Sequence, residues 1–153
     1  MTGPRNILVA TDFSEMSERA LTYARGITQP LDAKLHLLHV IPDPYSLPWL
    51  KNTSGVDVRH LMNTWEAQAQ QQLEELRPDK ETVIVTRVGH PFQEIVGYAK
   101  AHDIDLIVMG THGRSGAAHM LIGSVAERVV RKAPCPVLTV RDPDHEFTKT
   151  LSS

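Results

Sequence analysis

Five short apolar runs, separated by stretches of helical periodicity, set the narrowest limit on what this chain can fold into. The runs are Ile7-Leu8-Val9-Ala10, Leu35 to Val40, Thr82-Val83-Ile84-Val85, Leu106-Ile107-Val108-Met109 and Pro136 to Val140. Most lack strict polar/apolar alternation, and near-continuous β-branched runs suit parallel strands buried on both faces. Between them, Met16, Ala20, Tyr23, Ala24 and Ile27 mark the apolar face of a first helix, with Ser14 as its N-cap. Val58, Leu61, Met62, Trp65, Ala69 and Leu76 mark a second, ended by Pro78, with Trp65 read as a core residue. Phe92, Ile95, Val96 and Ala99 mark a third, with Pro91 suited to its first position. Val125, Ala126, Val129, Val130 and Ala133 mark a fourth, whose basic C-terminal end (Arg128, Arg131, Lys132) complements the helix dipole. Strict β-α alternation predicts a parallel sheet covered by helices on both faces.

The chain has 153 residues, which predicts a single domain, with residues 142 to 153 as a flexible tail. Ile41 to Val56, with Pro42, Pro44, Pro48 and Gly55, is too long for a minimal connection and reads as a surface loop. Sixteen Lys and Arg against 18 Asp and Glu leave no broad basic footprint, so nucleic acid is not the expected partner. No stretch has the ~18 apolar residues of a membrane helix, and the N-terminus lacks a signal-peptide core. A single cysteine, Cys135, forms no internal disulfide. Together these predict a soluble cytoplasmic protein without a membrane partner.

In open α/β sheets, ligands bind at the carboxyl ends of the strands, where the strand order reverses. Two strand ends carry unusual residues. Ala10-Thr11-Asp12-Phe13-Ser14 follows the first strand; Met109-Gly110-Thr111-His112-Gly113-Arg114-Ser115-Gly116 follows the fourth, and Gly123-Ser124 opens the fourth helix. Both sets face one crevice if strands one and four are neighbours. That requires a sheet order of 3-2-1-4-5, which these positions favour. Gly110 and Gly113 would permit close backbone approach to a ligand and positive φ. Gly123 and Ser124 would place N–H groups and a hydroxyl at a helix N-terminus, which suits a phosphate. By spacing alone, a flexible turn with Ser124 as a simple N-cap is an equal reading. Neither a P-loop nor a GxGxxG fingerprint is present.

The pattern Gly110-x2-Gly113-x9-Gly123-Ser124 resembles the nucleotide-binding signature of the universal stress protein (UspA-like) family. The likeness extends through Asp105 to Arg114, through Ala133-Pro134-Cys135-Pro136-Val137, and to the opening Ile7 to Ser14; it covers about residues 4 to 141. It implies an α/β, Rossmann-like domain with a five-stranded parallel sheet. Family members with this glycine pattern bind ATP, so the resemblance implies ATP or another adenine nucleotide, with Mg²⁺ as a companion of the phosphates. It places Asp12 near the ribose and the phosphate-bound Mg²⁺, and Val40 at the adenine edge through its backbone. Ala10, Thr11, Met109, Gly110, His112 and Gly113 would line the ribose and phosphates. Gly123, Ser124 and Val125 would hold the phosphates, with Arg114 adding charge. Ala10 stands where many relatives have proline, and Ala126 where nucleotide-binding relatives can have Thr. Relatives dimerise through the last strand, here Val137 to Val140, so a homodimer is expected.

Asp12 alone makes no dedicated metal site, because Mg²⁺ keeps most of its waters. Eight histidines invite a zinc reading, but no pair has convincing ligand spacing with a third partner. His36 and His39 point to opposite faces of a strand, which leaves His39 as a hydrogen-bonded residue near the strand end. The functional expectation is an ATP-binding stress-response homodimer whose nucleotide state regulates its interactions. A slow ATP hydrolase or phosphotransferase is the alternative from the enzyme class; Asp12, His112 and Arg114 are its candidate groups, with no spacing that assigns them an in-line role. A dimeric interaction module without nucleotide is the third reading, and the intact glycine set argues against it. The downstream protein partner leaves no mark in the sequence.

Overall fold

The computed structural model describes residues 3–48, 57–112 and 122–141. Its elements alternate as the sequence predicts: β1 (Asn6–Ala10), α1 (Glu15–Leu31), β2 (Lys34–Pro42), a 3-10 turn (Pro44–Ser46), α2 (Val58–Leu76), β3 (Val83–Gly89), α3 (Pro91–Ala101), β4 (Leu106–Gly110), α4 (Ser124–Lys132) and β5 (Val137–Val140). All strand pairs are parallel, in the order β3-β2-β1-β4-β5. This is the 3-2-1-4-5 order, with the reversal between β1 and β4.

Successive side chains of a strand face opposite sides, so each central strand feeds two cores. Ile7 and Val9 of β1, with Leu35 and Leu37 of β2, pack under Ala20, Leu21 and Ala24 of α1 and Leu73 of α2. Leu8, Leu38 and Val40 pack on the other side with Ile95, Tyr98 and Ala99 of α3 and Ala126 and Val129 of α4. Burial on both faces holds for β1, β2 and β4; the edge strands β3 and β5 are only half-buried.

Side-chain placement departs from the helical pattern at several points. Tyr23 is 59% exposed and Leu21 takes its place in the core. The buried face of α1 therefore runs Ser17, Ala20, Leu21, Ala24, Thr28, rotated from the expected one. Val130 is likewise exposed, Trp65 is half-buried, and Tyr98 joins the core. Tyr and Trp, with an apolar body and a polar tip, can face either way at a helix flank, and tertiary packing decides. Ile41 and Pro42 continue β2 instead of opening the loop, and β3 runs to Gly89, four residues beyond the apolar run. The remainder of the expected loop, from residue 49 to 56, lies outside the described residues, as does the tail from residue 142. No helix among the described residues is long and apolar enough to cross a membrane.

Candidate functional site

The register of β1 against β4 (Val9 opposite Val108) puts the two carboxyl ends side by side. Beyond β1 the chain turns sharply into α1. Thr11 N–H donates to the Leu38 carbonyl at 2.9 Å, and its hydroxyl accepts from Phe13 N–H at 3.0 Å. Phe13 adopts the left-handed conformation (φ 65°) and packs on the His39 ring, with centroids 4.3 Å apart. Ser14 caps α1 as expected, accepting from Ser17 N–H. One carboxylate oxygen of Asp12 accepts from Ser14 N–H (3.0 Å) and from the Ser17 hydroxyl (3.1 Å). The turn is thus a small hydrogen-bonded unit in which Ser17, not singled out from sequence, positions Asp12 and Thr11 together. Its only sequence signal is its place three residues after the cap.

Val40 lies two residues past Leu38. Leu38 directs its carbonyl toward β1, and backbone groups repeat direction every second residue. The Val40 N–H and carbonyl therefore face the same side, beyond the point where β1 has turned away. His39, between them, sits with Nδ1 2.8 Å from the Thr11 carbonyl, the hydrogen-bonded role expected for it. His36 instead reaches the opposite face, where it meets Tyr98.

After β4, Thr111 N–H donates to the Val140 carbonyl (3.0 Å), and Gly123 N–H donates to the Thr111 carbonyl. This brings the start of α4 directly onto the end of β4. Gly123, not Ser124, is the N-cap, and no side chain among the described residues caps this helix. The first bond within the helix is from Glu127 N–H to the Gly123 carbonyl (2.9 Å). The N–H groups of Ser124, Val125 and Ala126 therefore precede the intrahelical ladder and carry the positive end of its dipole.

The glycines serve close packing. A Cβ on Gly123 would lie 2.9 Å from the Thr111 carbonyl oxygen, and one on Gly110 would lie 3.0 Å from the Met16 Cβ of α1. Gly110 ends a strand and has no positive φ, so the expectation of a left-handed conformation there is corrected: what it provides is room for α1. Gly113 and Arg114 lie outside the described residues. His112 sits against Gly123; its Nδ1 is 3.2 Å from the Thr111 hydroxyl, while its Nε2 is buried without a hydrogen-bond partner among the described residues.

Ala10, Thr11 and Asp12, then Val40, then Met109, Gly110 and His112, and finally Gly123, Ser124 and Val125 thus stand at one end of the sheet, around the β1/β4 reversal. The first-turn N–H groups of α4 open onto this end without an intrahelical acceptor, and Asp12 brings a carboxylate to it. Among the described residues no group of three or more His, Cys, Asp or Glu is placed to hold a metal. Cys135 is distant from a reactive setting, because burial and the nearby Asp105 push its thiol pKa up.

The sequence profile of the universal stress protein family matches residues 3–141. Universal stress protein MJ0531 of Methanocaldococcus jannaschii is 33% identical over 144 residues, covering 93% of this chain and 85% of its own. The solved structure of protein MJ0577, from the same organism, superposes with a TM-score of 0.77 at 29% identity, covering 92% of this chain and 97% of that one. A universal stress protein solved in complex with cAMP superposes with a TM-score of 0.65 at 25% identity, covering 91% of this chain and 98% of that one. Family profile, sequence relatives and fold agree: the chain belongs to the universal stress protein family.

Proposed function

We propose that the crevice between β1 and β4 binds an adenine nucleotide, ATP foremost, and that the protein acts as a nucleotide-dependent regulatory homodimer in the cytoplasm. The observation that carries this reading is the start of α4: an N-terminus with a glycine cap and no side-chain cap, held against the end of β4. Such a terminus offers oriented N–H donors to a phosphate. Ser124 and Val125 are its phosphate-holding residues, with Gly123 keeping the approach open. Gly110, Gly113, Met109 and Ala10 line the ribose side, and the outward Val40 backbone meets the adenine edge. The buried His112 Nε2, which has no partner among the described residues, is a polar atom that a ligand oxygen can satisfy. Asp12 and Thr11 stand where Mg²⁺ or a ribose would be met, and Arg114 adds charge. The solved cAMP complex of a relative supports an adenine nucleotide as the ligand class. The outer edge of β5 supplies the surface for a two-fold pairing of chains.

The test begins with mass spectrometry of small molecules released on denaturing fresh protein, followed by Mg-ATP titration of nucleotide-free protein. Ser124→Pro is the discriminating variant. Proline suits the first position of a helix, and Gly123 (φ −75°, ψ 163°) already has the extended conformation that precedes proline. The variant keeps the helix but deletes one phosphate donor, and ATP affinity is expected to fall about tenfold, the scale of one charge-assisted bond. Unchanged affinity would remove the α4 terminus from the site. No released nucleotide together with no Mg-ATP stabilisation would refute nucleotide binding.

A further inference from the structure

β3 is the edge of the sheet opposite β5, and a groove of about 550 Å³ runs along it. Five consecutive β3 residues, Val83 to Arg87, line this groove. Consecutive strand residues point to alternate faces, so a groove lined by all five follows the backbone edge itself. One wall is Gln70 of α2 and the other is Tyr98 of α3 with His102, the residue that caps its C-terminus.

Ladder geometry identifies the groups on that edge. Leu38 points toward β1, so His39 points toward β3, and His39 is in register with Thr86. Thr86 then faces away from β2, as do Ile84 and Val88. A direct observation agrees: the Arg87 guanidinium folds back and donates to the Thr86 carbonyl at 3.0 Å. Arg87 also lies over the Tyr98 ring, 5.6 Å from its centroid, and Tyr98 stacks on His102 at 3.9 Å.

The groove is cationic. Its ionisable lining is Lys34, Arg87, His36, His102 and Tyr98, without a carboxylate among the described residues, and neither Lys34 nor Arg87 has an ion pair there. An edge covered in this way resists pairing with the same edge of a second copy, because cation would meet cation. It also resists a neutral strand, because Arg87 holds the Thr86 carbonyl. A carboxylate on an incoming strand removes both obstacles: it draws the guanidinium off the edge and leaves the carbonyl to the ladder.

We propose that the β3 edge is a docking site for an extended acidic peptide segment of a partner protein, which adds to the sheet as a sixth strand, with Arg87 as its charge-selective gate. Ile84, Thr86 and Val88 supply the main-chain pairing, and Lys34 and Arg87 the preference for carboxylates. The site is separate from the nucleotide crevice, which lies at the β1/β4 ends.

The test uses the full-length protein and two fluorescein-labelled heptapeptides, Glu-Val-Glu-Val-Glu-Val-Glu and its lysine counterpart, followed by anisotropy. The acidic peptide is expected to bind about tenfold or more tightly, with affinity falling as salt rises. Arg87→Ala is expected to reduce the preference to what Lys34 alone supplies, and Arg87→Glu, at an exposed position, to remove it. N-methylation of one alternate set of peptide amides is expected to remove binding, while methylation of the other set leaves it intact. Equal binding of the two peptides, or an undiminished acidic preference in Arg87→Glu, overturns the proposal. So does indifference to N-methylation of either set, which would reveal charge attraction without strand pairing. Ser124→Pro is expected to bind the acidic peptide normally, separating this outcome from the nucleotide site.

Discussion

His36 and Tyr98, 62 positions apart in the chain, are joined by a 2.7 Å hydrogen bond between the imidazole Nδ1 and the phenol oxygen. The bond ties β2 to α3, and both residues are almost wholly buried. Burial, with help from Lys34 and His102, lowers the His36 pKa to about 4 from its ordinary 6.5. The unfolded chain therefore takes up a proton near pH 6.5 that the folded chain refuses until about pH 4. Stability from this site is complete above the unfolded value and is lost as pH falls between the two. His36→Gln keeps a polar partner for Tyr98 but cannot titrate. Chemical denaturation at a series of pH values is expected to show a smaller acid-side slope for the variant; an identical slope would mean that His36 is not the group responsible.

Asp105 acts at lower pH. Its carboxylate accepts from the N–H groups of Arg5 and Asn6, each at 2.9 Å, and these bonds hold its pKa below the usual 3.8. The group is largely solvated, which reduces its worth to about 1 kcal/mol. That contribution is present above the ordinary carboxylate pKa and disappears as pH falls through the depressed folded value. Asp105→Ala is expected to lose about this amount at pH 7 and to converge with the parent protein in strong acid. Urea melts at the two pH values check both limbs.

Gly123→Ala tests close packing at the crevice. The new methyl group would sit 2.9 Å from the Thr111 carbonyl oxygen, a backbone atom that cannot swing aside. The start of α4 must shift, at an expected cost of about 1–3 kcal/mol. Gly26→Ala serves as the control, since its Cβ would meet nothing within 4 Å and it lies within a helix. There the substitution is expected to stabilise by about 0.5–1 kcal/mol. Thermal unfolding of the pair should separate in opposite directions.

Pairing through β5 has a similarly local test. Pro136 and Val140 direct their carbonyls at β4, so Thr139 directs its N–H outward. Thr139→Pro deletes an outward donor while leaving the inner ladder in place. Sedimentation velocity at micromolar concentration is expected to show a dimer for the parent chain and a monomer for this variant. A parent chain that sediments as a monomer would refute the proposed dimer.

The fold was legible because β1 and β4 carry unbroken apolar runs and β2 is interrupted only by His36 and His39 between Leu35 and Ile41, a pattern that suits burial on both faces. Strand order was legible at the ends of the runs, where Thr11-Asp12 and Gly110-Thr111 break the apolar pattern and mark β1 and β4 as neighbours. The end of β3 was not, because Thr86, Arg87 and Gly89 interrupt the apolar run on an edge strand where Arg87 and Val88 are exposed. Tyr23 and Leu21 differ by two positions on α1, and periodicity alone could not select between them. At the site, the glycine positions were visible but their contacts were not: Gly110 makes room for Met16, which lies on an element 94 residues earlier. The His36–Tyr98 bond was equally hidden, since nothing local to either residue records the other.

The bond from Gly123 N–H to the Thr111 carbonyl has one further consequence. It joins the start of α4 to the end of β4 through two backbone groups, so the junction depends on no side chain. A change of length between Thr111 and Gly123 leaves both partners of this bond in place, and doubling a connection costs only about 0.6 kcal/mol in closure entropy. The sequence between β4 and α4 is therefore open to change without renegotiating the fold that carries it.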